Sequence, residues 1–254
     1  MKKIILLIFC LISVNLTFAQ SGCPSPIGRY KAHSLQRFQV GTGVGITSLK
    51  GDRKNSNAFG AAGYFNFDYQ LIKGLFFGVR TQFGSLRMKP VNFNDKEMNS
   101  RFFGFGGGIL IHPFELINKD TGRQFEKSIG NYILESFYLG ADVLSLQNSF
   151  KYIHRSSPLT PDSYGPIDYY DQNGNPVFKD KVSTLLLPAL SVGISPILNK
   201  NNERFKIRAV VNAQFNFTDS DELDGFTPYD ANMQRIKTNN DWYSFYSLGL
   251  RCLF

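Results

Sequence analysis

The feature that most restricts the fold of this chain is an alternation of apolar with polar or small residues at a period of two. In residues 37–48, RFQVGTGVGITS, the even positions are mainly apolar and the odd positions are polar or small. Because residues i and i+2 of a β-strand lie on one face, this pattern predicts a strand with two unlike faces. Eight segments follow it, and they are 37–48, 59–71, 75–84, 100–112, 132–146, 182–195, 205–218 and 242–254.

The N-terminal segment differs from the rest of the chain and predicts an export signal. Lys2 and Lys3 precede an apolar stretch, and Ala19 ends a small-x-small site. We therefore expect a signal peptide over residues 1–19, a periplasmic arm over 20–35 and a barrel over 36–254. Two alternatives remain: a membrane anchor, for which the apolar run is shorter than the roughly 20 residues needed, and a lipoprotein modified at Cys23.

Cysteine use adds one open question about the exported chain. Cys10 leaves with the signal, so Cys23 and Cys252 remain near its two ends. An oxidising compartment permits a disulfide between them. Two free thiols agree with the sequence equally well.

The composition of the two strand faces favours a membrane barrel over a soluble β-sandwich. One face is rich in Phe, of which the chain has 24, and the other carries Gly, Asn, Gln, Ser and Tyr with few charges. In a soluble sheet, the face exposed to water would be strongly charged. This pattern instead predicts a lipid-facing exterior around a narrow polar interior. No mature segment is apolar enough for a membrane-spanning helix. The expected fold is all-β, an eight-stranded antiparallel up-and-down transmembrane β-barrel.

Connection lengths and turn residues predict the topology of this barrel. The turn at residues 72–74 is short, whereas 147–179 and 219–241 are long, so the long segments are expected outside the cell. Pro188 cannot donate to a strand ladder and predicts a bulge. Asn173-Gly174 predicts a hairpin turn within the first long loop. Aromatic residues expected at the membrane interfaces are Tyr69, Trp242, Tyr243 and Tyr246.

The closing sequence FYSLGLRCLF, together with the signal and the eight alternating segments, resembles the small outer-membrane β-barrel proteins of Gram-negative bacteria, such as the OmpA transmembrane domain and OmpX. The resemblance covers about residues 36–254. It implies insertion by the barrel-assembly machinery, with outer-membrane lipid and lipopolysaccharide as neighbours. The residues that match the family's C-terminal insertion signal are Tyr246, Leu248, Leu250, Cys252 and Phe254.

One segment departs from that family pattern. Residues 112–131, HPFELINKDTGRQFEKSIGN, should form a periplasmic turn but are too long for one. The segment predicts either a short amphipathic helix or a different strand count at this point.

The inward positions of the predicted strands include charged residues, which need partners when they are buried. Asp68 and Arg80 lie diagonally across the first short turn and are expected to pair. We expect the network to fill the barrel, because eight strands leave room only for side chains; a narrow ion path is the alternative. The predicted luminal network comprises Asp68, Arg80, Asp142, Lys206, Arg208 and Arg251.

Two further motifs contain residue types that occur in ligand sites. The glycine runs GTGVG and FGFGGG do not follow the strand-to-helix pattern of a phosphate loop and are expected to relieve crowding inside the barrel. The acidic stretch TDSDELDGF contains Asp219, Asp221, Glu222 and Asp224. These residues predict a solvated acidic loop, and the less favoured alternative is a weak divalent-cation site. The sequence predicts no cofactor, and its scattered basic residues predict no nucleic-acid partner.

Function is predicted from the barrel and its loops. His154 lies near Ser156, Ser157 and Asp162, but neighbours in a loop are weak evidence for a nucleophilic triad. We expect a non-enzymatic protein with a structural or surface-interaction role in its long loops. The alternative is an accessory subunit of a larger secretion or assembly complex in the envelope, contacting its partner through residues 112–131 and 20–36. A narrow pore and a lipid-modifying enzyme are less favoured.

Overall fold

A computed structural model describes residues 37–51, 58–89, 97–117, 129–155, 159–199, 205–236 and 239–254. The predicted signal peptide 1–19, the arm 20–35 and Cys23 lie outside these residues. Among the residues described, no helix is both long enough and apolar enough to cross a bilayer.

Eight strands form one closed antiparallel ring, as the alternation predicts. Each strand pairs with its sequence neighbour in the ring, and the first pairs with the last, so the wall has no free edge. The ring strands are β1 (Phe38–Lys50), β2 (Phe59–Ile72), β3 (Leu75–Met88), β4 (Glu97–Ile111), β5 (Phe137–His154), β8 (Lys181–Ile194), β9 (Lys206–Thr218) and β10 (Trp242–Leu253). Strands β6 (Ile167–Tyr170) and β7 (Pro176–Phe178) form a separate hairpin between β5 and β8.

The two ends of the chain close the ring through the backbone. Phe38 N–H donates to the Phe254 carbonyl at 3.0 Å, and Phe254 N–H donates back to Phe38 at 2.9 Å. The two rings lie 6.3 Å apart between centroids on the outer surface. The terminal aromatic residue is thus part of the seam between β1 and β10.

The alternation sorts side chains between the outside and the inside of the wall as predicted. Outward positions expose large apolar side chains, while their neighbours one position along are buried within the ring. Exposed outward phenylalanines include Phe65, Phe67, Phe77, Phe83, Phe103 and Phe105. An apolar belt of this kind is what lipid requires, and closure pairs the backbone groups that lipid cannot satisfy.

The bulge predicted at Pro188 is confirmed by the strand register. Between Leu186 and Ala189, β8 advances three residues while β5 and β9 each advance two. The extra residue on β8 accommodates the proline, which has no N–H to donate.

Two predicted boundaries are wrong, one at each end of β5. Residues 147–154 were assigned to an external loop, but β5 continues to His154. Residues 132–136 were assigned to a strand, but they belong to helix α2 (Ile129–Ser136). A separate helix, α1 (Pro113–Ile117), follows β4, so a short helix, one of the two alternatives for residues 112–131, is present there. The described residues of this connection thus contain two short helices. Short apolar runs fit both periodicities, and contacts with the barrel decide between them.

The interior is not uniformly polar, which corrects the prediction. Two apolar clusters flank a polar belt, because a narrow closed barrel packs its interior like a protein core. We name the end with the long loops external and the end with α1 and α2 periplasmic, as the loop lengths predict. The cluster at the external end is formed by Leu49, Ala62, Tyr64, Leu86, Met88, Met98, Phe102, Leu144, Leu146, Ala189, Leu223, Phe226, Tyr243 and Phe245. The cluster at the periplasmic end is formed by Phe76, Leu110, Tyr138, Val210 and Leu253.

Candidate functional site

An ion-pair cluster lies at the centre of the barrel interior. Arg80 of β3 pairs with Asp68 of β2 and also with Asp142 of β5, at 3.2 Å between Nε and Oδ1. Gln39 Nε2 donates to the second oxygen of Asp68 at 3.2 Å. All three charged side chains are buried, and Arg80 forms ion pairs with both carboxylates, which offset part of their loss of water.

The glycines of β4 make room for this cluster. Gly106 and Gly108 face inward, opposite Arg80 and Asp142 in the strand register. A Cβ atom on Gly108 would overlap the Asp142 carboxylate and the Ala141 carbonyl. The FGFGGG run therefore serves close packing inside the lumen.

Of the other three predicted luminal charges, Arg208 and Lys206 lie away from this cluster, whereas Arg251 lies beside it and lines the same small cavity as Arg80 and Asp142. Arg208 pairs with Glu115 of α1 at 2.7 Å. Arg251 lies over the Tyr138 ring at 4.4 Å from its centroid. Lys206 is only half-buried at the start of β9. The six residues thus occupy at least three separate environments.

A chain of amide and hydroxyl groups braces the barrel across its interior, and the sequence analysis did not single it out. Tyr243 of β10 donates its hydroxyl to Gln82 of β3 at 2.9 Å. Gln82 donates in turn to Gln214 of β9 at 2.7 Å, and Gln214 donates to Asn216 at 3.0 Å. The available signal was that Gln82, Gln214 and Asn216 all fall on inward positions.

The polar belt encloses only a small cavity. Its volume is about 20 Å³, and Arg80, Asp142 and Arg251 are among the residues that line it. That is about the space in which one water molecule can be placed. At this level the lumen holds side chains rather than a continuous aqueous path.

The external end of the barrel is closed by residues 219–236, which we call the plug loop. Leu223 and Phe226 pack into the external apolar cluster. Asn148 Nδ2 donates to the Leu223 carbonyl at 3.0 Å, and Arg155 donates to the Gly225 carbonyl at 3.2 Å. The loop is therefore held inside the mouth from both β5 and the residue that follows it.

Arg155 connects the plug loop to the neighbouring hairpin. Its guanidinium lies 4.1 Å from the centroid of the Phe178 ring and 5.7 Å from that of Phe226. Burial lowers the pKa of Arg155 to about 10, so it stays charged at neutral pH. Sequence reasoning missed this residue, because a single arginine after a strand carries no distinctive pattern.

The acidic residues of the plug loop do not form the solvated stretch that was expected. Asp221 and Asp224 are buried, whereas Asp219 is exposed. Asp221 and Glu222 both pair with Arg235, the latter at 2.8 Å. Within the described ranges, no group of three or more metal-ligating side chains is arranged to hold an ion.

Hairpin β6–β7 packs against the plug loop, and we call the two together the external cap. Thr227 N–H donates to the Tyr164 carbonyl at 2.7 Å. The Tyr164 ring contacts Phe178 at 5.6 Å and Tyr229 at 6.1 Å between centroids. The turn predicted at Asn173-Gly174 is confirmed, and Gly174 has a φ of 81°, a backbone conformation that favours glycine.

Asp171 holds the tip of this hairpin. Its Oδ1 accepts hydrogen bonds from the backbone N–H groups of Asn173 at 2.9 Å and Asn175 at 2.7 Å. The hydrogen bonds from Asn175 are the main reason that the pKa of Asp171 lies below its ordinary value.

The periplasmic end is closed by the start of α1. His112 is buried between the rings of Phe76, at 5.8 Å, and Tyr138, at 5.6 Å between centroids. Glu115 of α1 accepts a hydrogen bond from Arg208 on the inner face of β9. Gly74 lets α1 approach the β2–β3 turn, since it has a φ of 78° and a Cβ there would lie 2.8 Å from the His112 carbonyl.

The four aromatic residues predicted at the membrane interfaces occupy different environments. Tyr69 and Trp242 lie near opposite ends of the wall, and Trp242 stacks on Phe217 at 6.1 Å between centroids. Tyr246 is exposed outward within β10 rather than at its end. The prediction for Tyr243 is wrong, because the odd positions of β10 face inward and bury its ring completely.

The residues of the predicted insertion signal share the outward face of β10. Tyr246, Leu248, Leu250 and Phe254 are exposed apolar side chains, and the Cys252 thiol is exposed beside them. Their recognition during assembly stays a prediction. A disulfide with Cys23 and two free thiols both stay open, because Cys23 lies outside the described residues.

Of the loop residues considered for a nucleophilic triad, which the sequence disfavours, His154 is the one whose side chain is described. His154 is exposed at the end of β5. Ser156 and Ser157 lie outside the described residues, and the side chain of Asp162 is likewise not described.

Comparison with known proteins gives structural likenesses only. No family model matches the sequence, and no curated protein matches it. Neisserial surface protein A is 13% identical with a TM-score of 0.45, covering 85% of this chain and 97% of that one. The attachment invasion locus protein Ail of Yersinia pestis, in complex with sucrose octasulfate, is 11% identical with a TM-score of 0.40, covering 86% and 98%. The outer-membrane protein OprG of Pseudomonas aeruginosa is 9% identical with a TM-score of 0.38, covering 87% and 98%.

The eight-stranded ring itself, rather than these likenesses, establishes the architecture. A closed antiparallel wall, an aromatic-rich apolar exterior and long connections at one end are the features of an outer-membrane β-barrel.

Proposed function

We propose that this protein is a sealed, non-enzymatic outer-membrane barrel that displays the external cap as a surface for interaction outside the cell. The observation that carries the proposal is the packing of Leu223 and Phe226 into the mouth of the barrel. A loop that closes a barrel is fixed in position, so the residues around it form a preorganised surface.

The interior supports a structural role rather than transport. Arg80 offsets both Asp68 and Asp142, and the cavity beside them is about 20 Å³. Moving an ion through this level would require the buried pairs to separate, and breaking such pairs costs several kcal/mol.

The cap presents aromatic side chains outward at its hairpin. Tyr169 and Tyr170 of β6 are exposed, with 57% and 47% of their surface accessible. Tyrosine is enriched among the residues that dominate binding energy in protein interfaces. These two side chains are therefore the proposed contact residues, and the partner is left to experiment.

Two measurements test the proposal together. The purified, refolded protein in a planar bilayer should show no steady conductance, and a steady open channel would contradict the sealed barrel. A photo-crosslinking amino acid at position 170 in living cells should yield a defined adduct. The same group at position 152, exposed near the end of β5, provides a control for nonspecific adducts.

The same crosslinking experiment distinguishes the accessory-subunit alternative. Ile133 of α2 is exposed at the periplasmic end. A protein adduct at position 133 together with none at position 170 would favour an envelope complex over surface interaction. Lipopolysaccharide and the barrel-assembly machinery stay predicted partners.

A further inference from the structure

We propose that the connection between β4 and β5 is an interfacial anchor, in which helices α1 and α2 seat an apolar face in the inner, phospholipid leaflet of the outer membrane. The occupant of this face is lipid at the boundary between headgroups and acyl chains. The inference goes beyond the proposed function and depends only on the membrane location of the barrel.

The first observation is an unusual exposure of apolar residues on both helices. On α1, Ile117 is 78% exposed and Phe114 is also exposed. On α2, Ile133 and Leu134 are each about half exposed, and Gly130 shares their side of the helix at i and i+3 to i+4 spacing. Side chains of this kind rarely stay in water when they are grouped together.

The second observation fixes which way α1 faces. Glu115 is held inward by its ion pair with Arg208 at 2.7 Å. At 100° per residue, Phe114 and Ile117 lie close together on the side of the helix turned away from that pair. The apolar face of α1 is therefore directed away from the lumen.

The third observation is continuity with the lipid-facing wall. The Phe114 ring contacts the ring of Phe137 edge to face at 6.4 Å between centroids. Phe137 is the first residue of β5 and shares the outward parity of Leu139 and Val143, which are exposed on the wall. The helix surface thus extends the apolar belt at its periplasmic rim.

The far end of α2 is tied to the neighbouring strand connection. Ser195 N–H donates to the Ser136 carbonyl at 2.7 Å. Both helices are consequently held at the rim by polar contacts on the barrel side, which leaves the apolar side open. A helix with one apolar face at such a rim inserts about 5–10 Å into the interface.

Single-tryptophan quenching tests the anchor in the full mature protein. Trp242 is the one native tryptophan, so Trp242→Phe provides the background. Ile133→Trp and Ile117→Trp are then refolded separately into phosphatidylcholine vesicles whose lipids carry bromine either near the headgroup or near the chain ends. Leu248→Trp, on the wall, is the lipid-facing control, and Tyr170→Trp, on the cap, is the aqueous control.

Both test positions should lose emission strongly with bromine near the headgroup and much less with bromine near the chain ends. If bromine does not quench the tryptophan emission, and if its maximum lies at as long a wavelength as that of Tyr170→Trp, the helices are in water and the inference is overturned. Blue-shifted emission without quenching would overturn it in favour of a protein cover. Absence of quenching at Leu248→Trp would instead contradict the membrane location, and the anchor would fail with it.

Discussion

Arg80 on β3 reaches Asp142 on β5 across the intervening strand β4, at 3.2 Å between Nε and Oδ1. The contact passes over inward glycines of β4, which supply no side chain to block it. The ion pair therefore depends on the absence of side chains at the inward glycines of β4. A substitution at one of these glycines should disturb the ion pair.

Gly108→Ala should destabilise the barrel, because its methyl group would meet the Asp142 carboxylate and the backbone of β5. Overpacking of this kind costs roughly 1–3 kcal/mol. Urea unfolding of the refolded protein in detergent measures the effect. The control is Gly107→Ala in the same run, where the nearest atom is a backbone oxygen at 3.2 Å. Equal loss in the two variants would contradict this account.

Arg80→Met should lower the free energy of unfolding by about 3–5 kcal/mol, since it leaves two buried carboxylates without their cation. The triple variant Asp68→Asn, Arg80→Met, Asp142→Asn should lose less than Arg80→Met alone, because it removes the unpaired charges as well. Both are measured by equilibrium unfolding. A triple variant less stable than Arg80→Met would contradict this account, because it would show that the unpaired carboxylates are not the main cause of the loss.

The double variant Leu223→Ser, Phe226→Ser should release the plug loop from the mouth while leaving the ring folded. Burying each of these side chains is worth about 1.5–3 kcal/mol, and serine gains little from burial there. Proteinase K on intact cells should cut within residues 219–236 faster than in the unmodified protein. Met233→Ser, at an exposed position of the same loop, should leave the cleavage rate unchanged.

Asp171 should titrate below the ordinary aspartate pKa of about 3.9. Its folded pKa is lowered chiefly by hydrogen bonds from Asn175, so this contribution to hairpin order is present above the unfolded pKa and is lost as the pH falls through the folded value. Amide chemical shifts of Asn173 and Asn175 followed from neutral to acidic pH should show one transition with that low midpoint. In Asp171→Asn the transition should disappear.

Phe254→Ala should reduce the amount of folded barrel in the outer membrane of growing cells, if the terminal ring is the insertion signal. Phe38→Ala is the matched control, because it removes the same 6.3 Å ring contact without changing the C-terminal residue. The change in gel mobility between unheated and heated samples measures the folded fraction of each variant. A similar decrease in both variants would assign the effect to the seam between β1 and β10 rather than to recognition.

The sequence was informative wherever a residue's role depends on its immediate neighbours. Period-two alternation identified eight strands, and it correctly predicted that Phe65 and Phe67 face outward while Asp68 faces inward. It failed at residues 132–136, which are helical. The helix ends at Ser136, whose carbonyl accepts a hydrogen bond from Ser195 N–H, a residue distant in the sequence.

The alternation by itself determined that the chain forms a two-faced strand wall, because strand pleating places every second side chain on the same side. Only the tertiary structure decided that Leu223 and Phe226 turn into the mouth, that Arg155 and Arg235 hold the cap, and that Gln82 meets Gln214 across the lumen. These contacts join residues on separate strands and loops. Their geometry depends on how the closed ring positions distant parts of the chain, which local periodicity does not encode.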